Sequence, residues 1–499
     1  MNTLMLWPVL LPLGGAAGTL LLMKHPRLQR AVALLALLTA LAASARLLAE
    51  VWRSGQPVVY QLGGWAAPFG ITLMGDLLAV TFALMAQTVL LLGLVYALGC
   101  RDKVTGYPTF YPLFLTLTTG LSGAFLTGDL FNLFVFAELL VFSGTILTAV
   151  SDDPGGVEAA LKYFFISLLA SACLLLANGL LYATYGTLNM ADLAVRIAAD
   201  GTPPLLPLAI ALLLATFMIK SAVFPFHFWQ PDFHAVSTTA VSAMLSSVVV
   251  KLGVYGFLRM TTLLFVAQAP TIRALLVVAG MAGVIYGGLG ATGSQHAKRM
   301  LAYSTLAQVG FILAAIGWGT PLALAAAVIF AVNHSLVKAA MLMLAGVMAS
   351  RAPVKSASFA VLQGVGKKLP AGGALFLLGG LSLAGIPPTN GFISKLAVFS
   401  SGIAAGQWAA LALLGLGSVL TLIYTIRAFM RIWWQPAEDN QAAAPAKAAK
   451  PGDRLLAPTL LLLIALGLGL WPAPLVHLAT ATAEALGDPA LYINAVFGR

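Results

Sequence analysis

Six ionisable residues stand inside stretches that are otherwise apolar: Glu138, Lys220, Lys251, His334, Lys338 and Lys395. A charge at the centre of a bilayer costs about 3 kcal/mol on insertion scales, so such residues mark ion or proton pathways by default. Glu138 stands nine residues beyond Asp129, hence roughly 14 Å along a helix at 1.5 Å per residue. A purely structural counter-ion is the plain alternative for it. Lys220 precedes Pro225 by five residues. A lysine out of water releases its proton more readily, and an approaching carboxylate reverses that. One Glu and one Lys therefore make a switch that two of either would not. His334 and Lys338 are one helical turn apart, and imidazole suits proton passage near neutrality. Thr238, Ser242 and Ser246 recur every four residues, and Ser247 stands four before Lys251. Hydroxyls on these faces fit a wetted path, or close helix packing. Lys162, four after Glu158, fits an interfacial ion pair, and Asp129 a helix-start acid. His227 and His234 flank the first of two proline-broken segments, around Pro231, and are further candidates to pass protons.

The elements that hold these residues follow from composition. Of 499 residues, 60% are hydrophobic and 9% charged, with mean hydropathy +0.96. That excludes a disordered chain, a disulfide scaffold and an ordinary water-soluble enzyme, and fits an all-α integral membrane protein. Continuous apolar runs argue against a membrane barrel. About fourteen transmembrane helices are expected between residues 2 and 471, the first of them retained rather than cleaved. Two segments are broken, TFMIKSAVFPFHFWQPDFH at 216–234 and LAGIPPTNGFISKL at 383–396, because proline removes a backbone donor and crowds the preceding turn. Each carries a buried lysine. Spans four to eight and nine to thirteen form two blocks of five, each with its fourth helix broken, which implies two inverted five-helix repeats. The expected organisation is an N-terminal three-helix region at 1–107, repeats at 108–260 and 261–431, a flexible cytoplasmic linker at 432–454, and a last helix and tail at 455–499. The 51–75 stretch reads as an outer-surface loop.

The net charge of +11 reports topology rather than nucleic-acid binding. With fourteen spans and both termini outside, the inner loops hold sixteen Lys and Arg, Lys298 among them. The outer segments hold five: Arg53, Arg196, Arg259, Arg273 and Arg499. This bias sets both termini on the non-cytoplasmic side. Cys100 and Cys173 lie in or at the ends of spans, with nothing to suggest a bridge. HFWQPDFH lacks the spacing of a zinc site, and no metal, redox cofactor or phosphate loop is apparent.

Several stretches resemble the antiporter-like large subunits shared by Mrp multisubunit sodium/proton antiporters and the proton-pumping membrane subunits of respiratory complex I and membrane hydrogenases. They are TGDLFNLFVFAELL at 127–140, LKYFFISL at 161–168, the run 220–259, KRMLAYSTLAQVGFI at 298–312, NHSLVKAAMLML at 333–344 and GIPPTNGFISK at 385–395. The first looks most like the Mrp D subunit. The resemblance implies that Glu138, Lys220, Lys251, His334 and Lys395 match the family's relay positions, with Lys338 beside them. It implies a proton-translocating subunit of a monovalent cation (Na+)/proton antiporter, seated in a bacterial-type plasma membrane among other membrane subunits. A proton-pumping subunit of a complex I-like NADH:quinone oxidoreductase or a membrane hydrogenase is the alternative. Lys395 argues against the complex I paralogue with glutamate there. Ala137 departs from the bulkier aromatic expected before the glutamate.

Overall fold

The computed structural model describes residues 3–100, 102–150, 154–436 and 452–498, and the chain in it is almost wholly helical. Among the described residues ten helices are long and apolar enough to cross a membrane, or eleven if the bent pair Leu456–Leu470 and Ala473–Gly487 counts as one. Three shorter apolar helices join them: Phe110–Leu126, Leu206–Lys220 and Pro370–Ala384. This is a multi-pass membrane protein. The bulk of the expected linker, 437–451, lies outside the described residues.

Helix starts are set by local chemistry. Asp76, Asp129 and Thr320 each accept a backbone N–H three residues on, at 2.9, 2.8 and 3.2 Å, which satisfies a donor that the first turn leaves open. Asp129 is thus the helix-start acid its position suggested. Two helices form the centre: the most apolar stretches of Thr239–Leu264 and Pro321–Ala349 are buried throughout, whereas much of Pro26–Ser54 faces outward. Helices Ala269–Gly293 and Ala297–Trp318 pack closely because a Cβ on Gly280 would meet the Gly310 carbonyl at 2.8 Å. Small residues at a contact let backbones approach where lipid supplies no hydrophobic drive.

Both expected breaks are present. Leu206–Lys220 ends, residues 221–228 are non-helical, and Trp229–Val236 resumes. Pro370–Ala384 ends at Gly385, and Asn390–Ala404 resumes.

Other features depart from expectation. The 51–75 stretch holds an antiparallel hairpin, Val58–Gln61 with Thr72–Gly75. An amphipathic helix, Met190–Asp200, follows the long helix Pro154–Tyr185. The expected tail after residue 471 is two helices, Ala473–Gly487 and Pro489–Phe497. Pro472 ends the preceding helix with an 80° bend. Leu475, Ala479, Ala483 and Leu486 then bury one face at helical spacing.

Two charges assigned to loops are buried. Arg259 is 3% exposed. Its guanidinium donates twice to the Asp76 carboxylate at 2.6 Å, and lies 4.9 Å from the ring centres of both Tyr255 and Tyr492. Lys298 is buried with its ammonium 3.0 Å from the Ser237 carbonyl. Periodicity placed both at helix ends, and the long side chains turn inward because an acceptor waits there.

Candidate proton path

The centre of the site is a widened turn. Residues Leu245–Val249 are π-helical, so the α-helical ladder is interrupted and carbonyls come free, a feature common at functional sites. The Ser247 carbonyl accepts from Lys251 Nζ and from Ser335 Oγ, both at 3.0 Å. Lys251 Nζ also bonds His334 Nδ1, and both residues are fully enclosed. One turn on, Lys338 Nζ donates to Ser304 Oγ at 2.6 Å and to the Leu301 carbonyl at 3.1 Å. Tyr424 donates to the same Ser304 hydroxyl at 2.6 Å. The charges of Lys251 and Lys338 both act on His334. Three proton-bearing groups from two central helices thus stand in sequence.

The first broken helix feeds this centre from one side. Ser221, in the break, donates to the Val250 carbonyl at 3.1 Å. Gly253 makes the approach possible, because a Cβ there would fall 2.0 Å from Ser221 Oγ and 2.4 Å from the Phe217 carbonyl. Lys220 is buried and its ammonium has no hydrogen-bond partner among the described residues. Glu138 acts on it electrostatically, without an ion-pair contact. Glu138 is half-buried and accepts from Ser171 Oγ. The carboxylate and the lysine are therefore within electrostatic reach of each other but not in contact.

The second broken helix holds its lysine differently. Lys395 Nζ donates to the Ala384 carbonyl at 2.9 Å and to Ser418 Oγ at 3.0 Å, and sits 4.9 Å from the Phe311 ring centre. Gly385 at φ 85° and Gly391 allow the two half-helices to fold together; a Cβ on Gly391 would overlap the Ser382 carbonyl at 1.7 Å.

The six sequence-derived residues are thus placed as Lys251, His334 and Lys338 in one contiguous cluster, with Glu138 and Lys220 to one side and Lys395 to the other. His227 stacks on Phe224 and is not in the cluster. Lys162 pairs with Glu158 at 2.6 Å on the exposed surface. Sequence reasoning did not find the contacts of Ser246 Oγ with Thr305 Oγ1 at 2.7 Å and of His234 Nδ1 with Ser242 Oγ at 3.0 Å. The hydroxyl spacing pointed to the right face but not to its partners. Among the described residues no cluster of His, Cys, Asp or Glu could hold a metal ion.

A many-helix membrane protein with buried, linked proton carriers and two interrupted helices is an ion-translocating type of molecule. The family model for the transmembrane region of NADH:quinone oxidoreductase and Mrp antiporter proteins matches residues 127–421, and the chain belongs to that family. It is 33% identical over 500 residues to the D subunit of the Na(+)/H(+) antiporter of Bacillus subtilis strain 168, covering 99% of each chain. It is 35% identical over 472 residues to the N subunit of the NADH-quinone oxidoreductase of Desulforudis audaxviator, covering 92% of this chain and 93% of that one. A chain in the solved structure of the Mrp complex from Dietzia sp. DQ12-45-1b superposes with a TM-score of 0.91 at 28% identity, over 100% of both. The resemblance to the Mrp D subunit is borne out by these matches.

Proposed function

We propose that the chain is the proton-translocating subunit of a multisubunit monovalent cation/proton antiporter, in a bacterial plasma membrane and alongside other membrane subunits. It is a transporter component rather than an enzyme in its own right. The observation that carries this is the enclosed Lys251–His334–Lys338 cluster, flanked by two broken helices that each present a lysine. The Bacillus antiporter relative and the Mrp superposition support it.

Protons pass between Glu138 and Lys220 when the gap closes, continue through Lys251, His334 and Lys338, and reach Lys395. One carboxylate is a poor cage for sodium, which prefers several oxygens, so the cation step belongs to another part of the complex. The reading of fourteen spans is supported by ten long apolar helices together with the shorter Phe110–Leu126 and Leu456–Leu470 and the broken Leu206–Val236 and Pro370–Ala404. The fourth helix of each five-helix block is the interrupted one, which supports the inverted repeats and the boundaries 108–260 and 261–431. The charge bias puts both termini outside the cytoplasm.

The test is cation-dependent proton flux in everted vesicles that carry the whole complex, with Glu138→Gln and Lys220→Ala at matched abundance. Sodium-dependent flux abolished by either substitution is expected. Normal transport in both would end the relay assignment. The NADH-quinone oxidoreductase relative motivates one other reading, a redox-driven pump. Flux elicited by a reductant and by no cation would favour it.

A further inference from the structure

A cavity of about 440 Å³ opens at the end of the molecule that the charge bias makes cytoplasmic. Asp102, His296, Lys298, Lys355 and Asp453 line it, together with Ser237 and Thr238. Asp453 comes from the stretch just ahead of the helix Leu456–Leu470, far in sequence from the rest. It is 4% exposed. Its backbone N–H donates to Ser350 Oγ at 2.9 Å, and its carboxylate accepts from the Tyr96 hydroxyl at 2.6 Å. Cys100 Sγ lies 3.6 Å from the same carboxylate oxygen. The charges of Lys298 and Arg351 also act on it. Asp102 is held by Lys355 at 3.0 Å. Burial, then the charges of Lys298 and Arg299, pull the His296 imidazole down to about 4, which leaves it uncharged near neutrality.

The inner wall leads to the relay. Ser237 Oγ and Thr238 Oγ1 are buried on the cavity wall without a partner among the described residues, as is His234 Nε2 three residues before Ser237. The charges of both Lys298 and Lys338 act on His234. The polar cavity has room for water, which needs two to four polar partners such as these.

We propose that Asp453 is the proton-exchanging carboxylate of the cytoplasmic mouth, serving the buried relay through this cavity, with Lys298 and Tyr96 as its positioning partners. This rests on the proton-relay reading. Its place is informative: the residue that charges the mouth is carried by the segment that connects to the last apolar helix, so the port is completed only when that segment docks.

The test is the medium-pH profile of sodium-dependent proton flux in everted vesicles, where the medium bathes this mouth. Removing a negative charge lowers the proton affinity of the groups around it. Asp453→Asn should therefore move the profile's midpoint to acid by about one pH unit and also lower the maximal rate. Lys298→Gln should move it the other way. A purely structural role would change amplitude, not shift the midpoint in opposite directions. Coincident profiles, or shifts of the same sign, would overturn the proposal. If Asp453→Asn does not accumulate, Tyr96→Phe decides: it removes one hydrogen bond to the ionised carboxylate, so an alkaline shift is expected and an unmoved midpoint counts against the port. Glu138→Gln in the same vesicles separates the two ideas. A silent Glu138→Gln with an unshifted Asp453→Asn removes the port alone, whereas an active Glu138→Gln removes the relay beneath it.

Discussion

The two broken helices carry the same residue in opposite states. Lys220 is buried with no hydrogen-bond partner among the described residues and feels the charge of Glu138 without touching it. Lys395 is moored to a carbonyl liberated by its own helix break, to Ser418 and to the face of Phe311. An unmoored buried ammonium is an expensive group, and its protonation follows whatever charge approaches it. A moored one keeps its position, and neutral acceptors meet part of its desolvation cost. The first half is built to respond to Glu138, and the second to hold a station in place.

This contrast can be broken by substitution. The largest effect expected is on flux: Lys220→Ala lowers cation-dependent proton flux by about 10²–10⁴-fold, the usual contribution of a positioned proton-transfer group. Lys220→Arg does not restore it, since guanidinium holds its proton. In the same variant, thermal melting of the purified complex is unchanged or raised, because an unpartnered polar group has gone. A lowered Tm would mean that Lys220 is moored after all. Next, Gly391→Ala destabilises more than Gly253→Ala. The Gly391 clash is with backbone, while part of the Gly253 clash is with a movable hydroxyl. Overpacking costs about 1–3 kcal/mol, read as loss of folded complex on denaturation. Equal losses would say that the two breaks are equally tight. Third, Lys395→Ala lowers Tm as well as flux, by the equivalent of about 1–3 kcal/mol, because a buried carbonyl loses its donor. An unchanged Tm would erase the contrast between the halves. The smallest effect is for Ser418→Ala, about 1 kcal/mol with flux largely kept, measured by the same melts.

The sequence exposed the parts of this site that are costly in lipid. Glu138, Lys220, Lys251, His334, Lys338 and Lys395 stood out because apolar surroundings make each charge conspicuous, and the two breaks stood out because of their prolines. The contacts are another matter. Arg259 and Asp76 are 183 residues apart, and in the sequence each falls at the margin of an apolar run, where charge is ordinary. Only the tertiary fold joins them. Asp453 lies at the margin of an Ala- and Pro-rich stretch that reads as linker. The helices after residue 471 were missed because each is too short to span, and because their buried face is small Ala and Leu rather than a continuous apolar run. The mooring of Lys395 depends on a carbonyl freed by a turn, which no side-chain pattern encodes.

The widened turn at Leu245–Val249 has a counterpart at Met260–Leu264 in the same span. Each takes in one residue more than a regular helical turn; the first rotates the helix beyond it by about 100° relative to a continuous helix, and the second is the span's last turn, ending at non-helical Phe265. The span is therefore two rotational segments, Thr239–Met244 and Lys251–Arg259, with Lys251 opening the second. Deleting a single residue within 245–249 would make this turn regular and keep Lys251 in phase with His334, whereas inserting one residue there would turn Lys251 away. For this helix, phase is as much a part of the mechanism as composition, and an insertion of one residue at this turn is a more severe change than most substitutions.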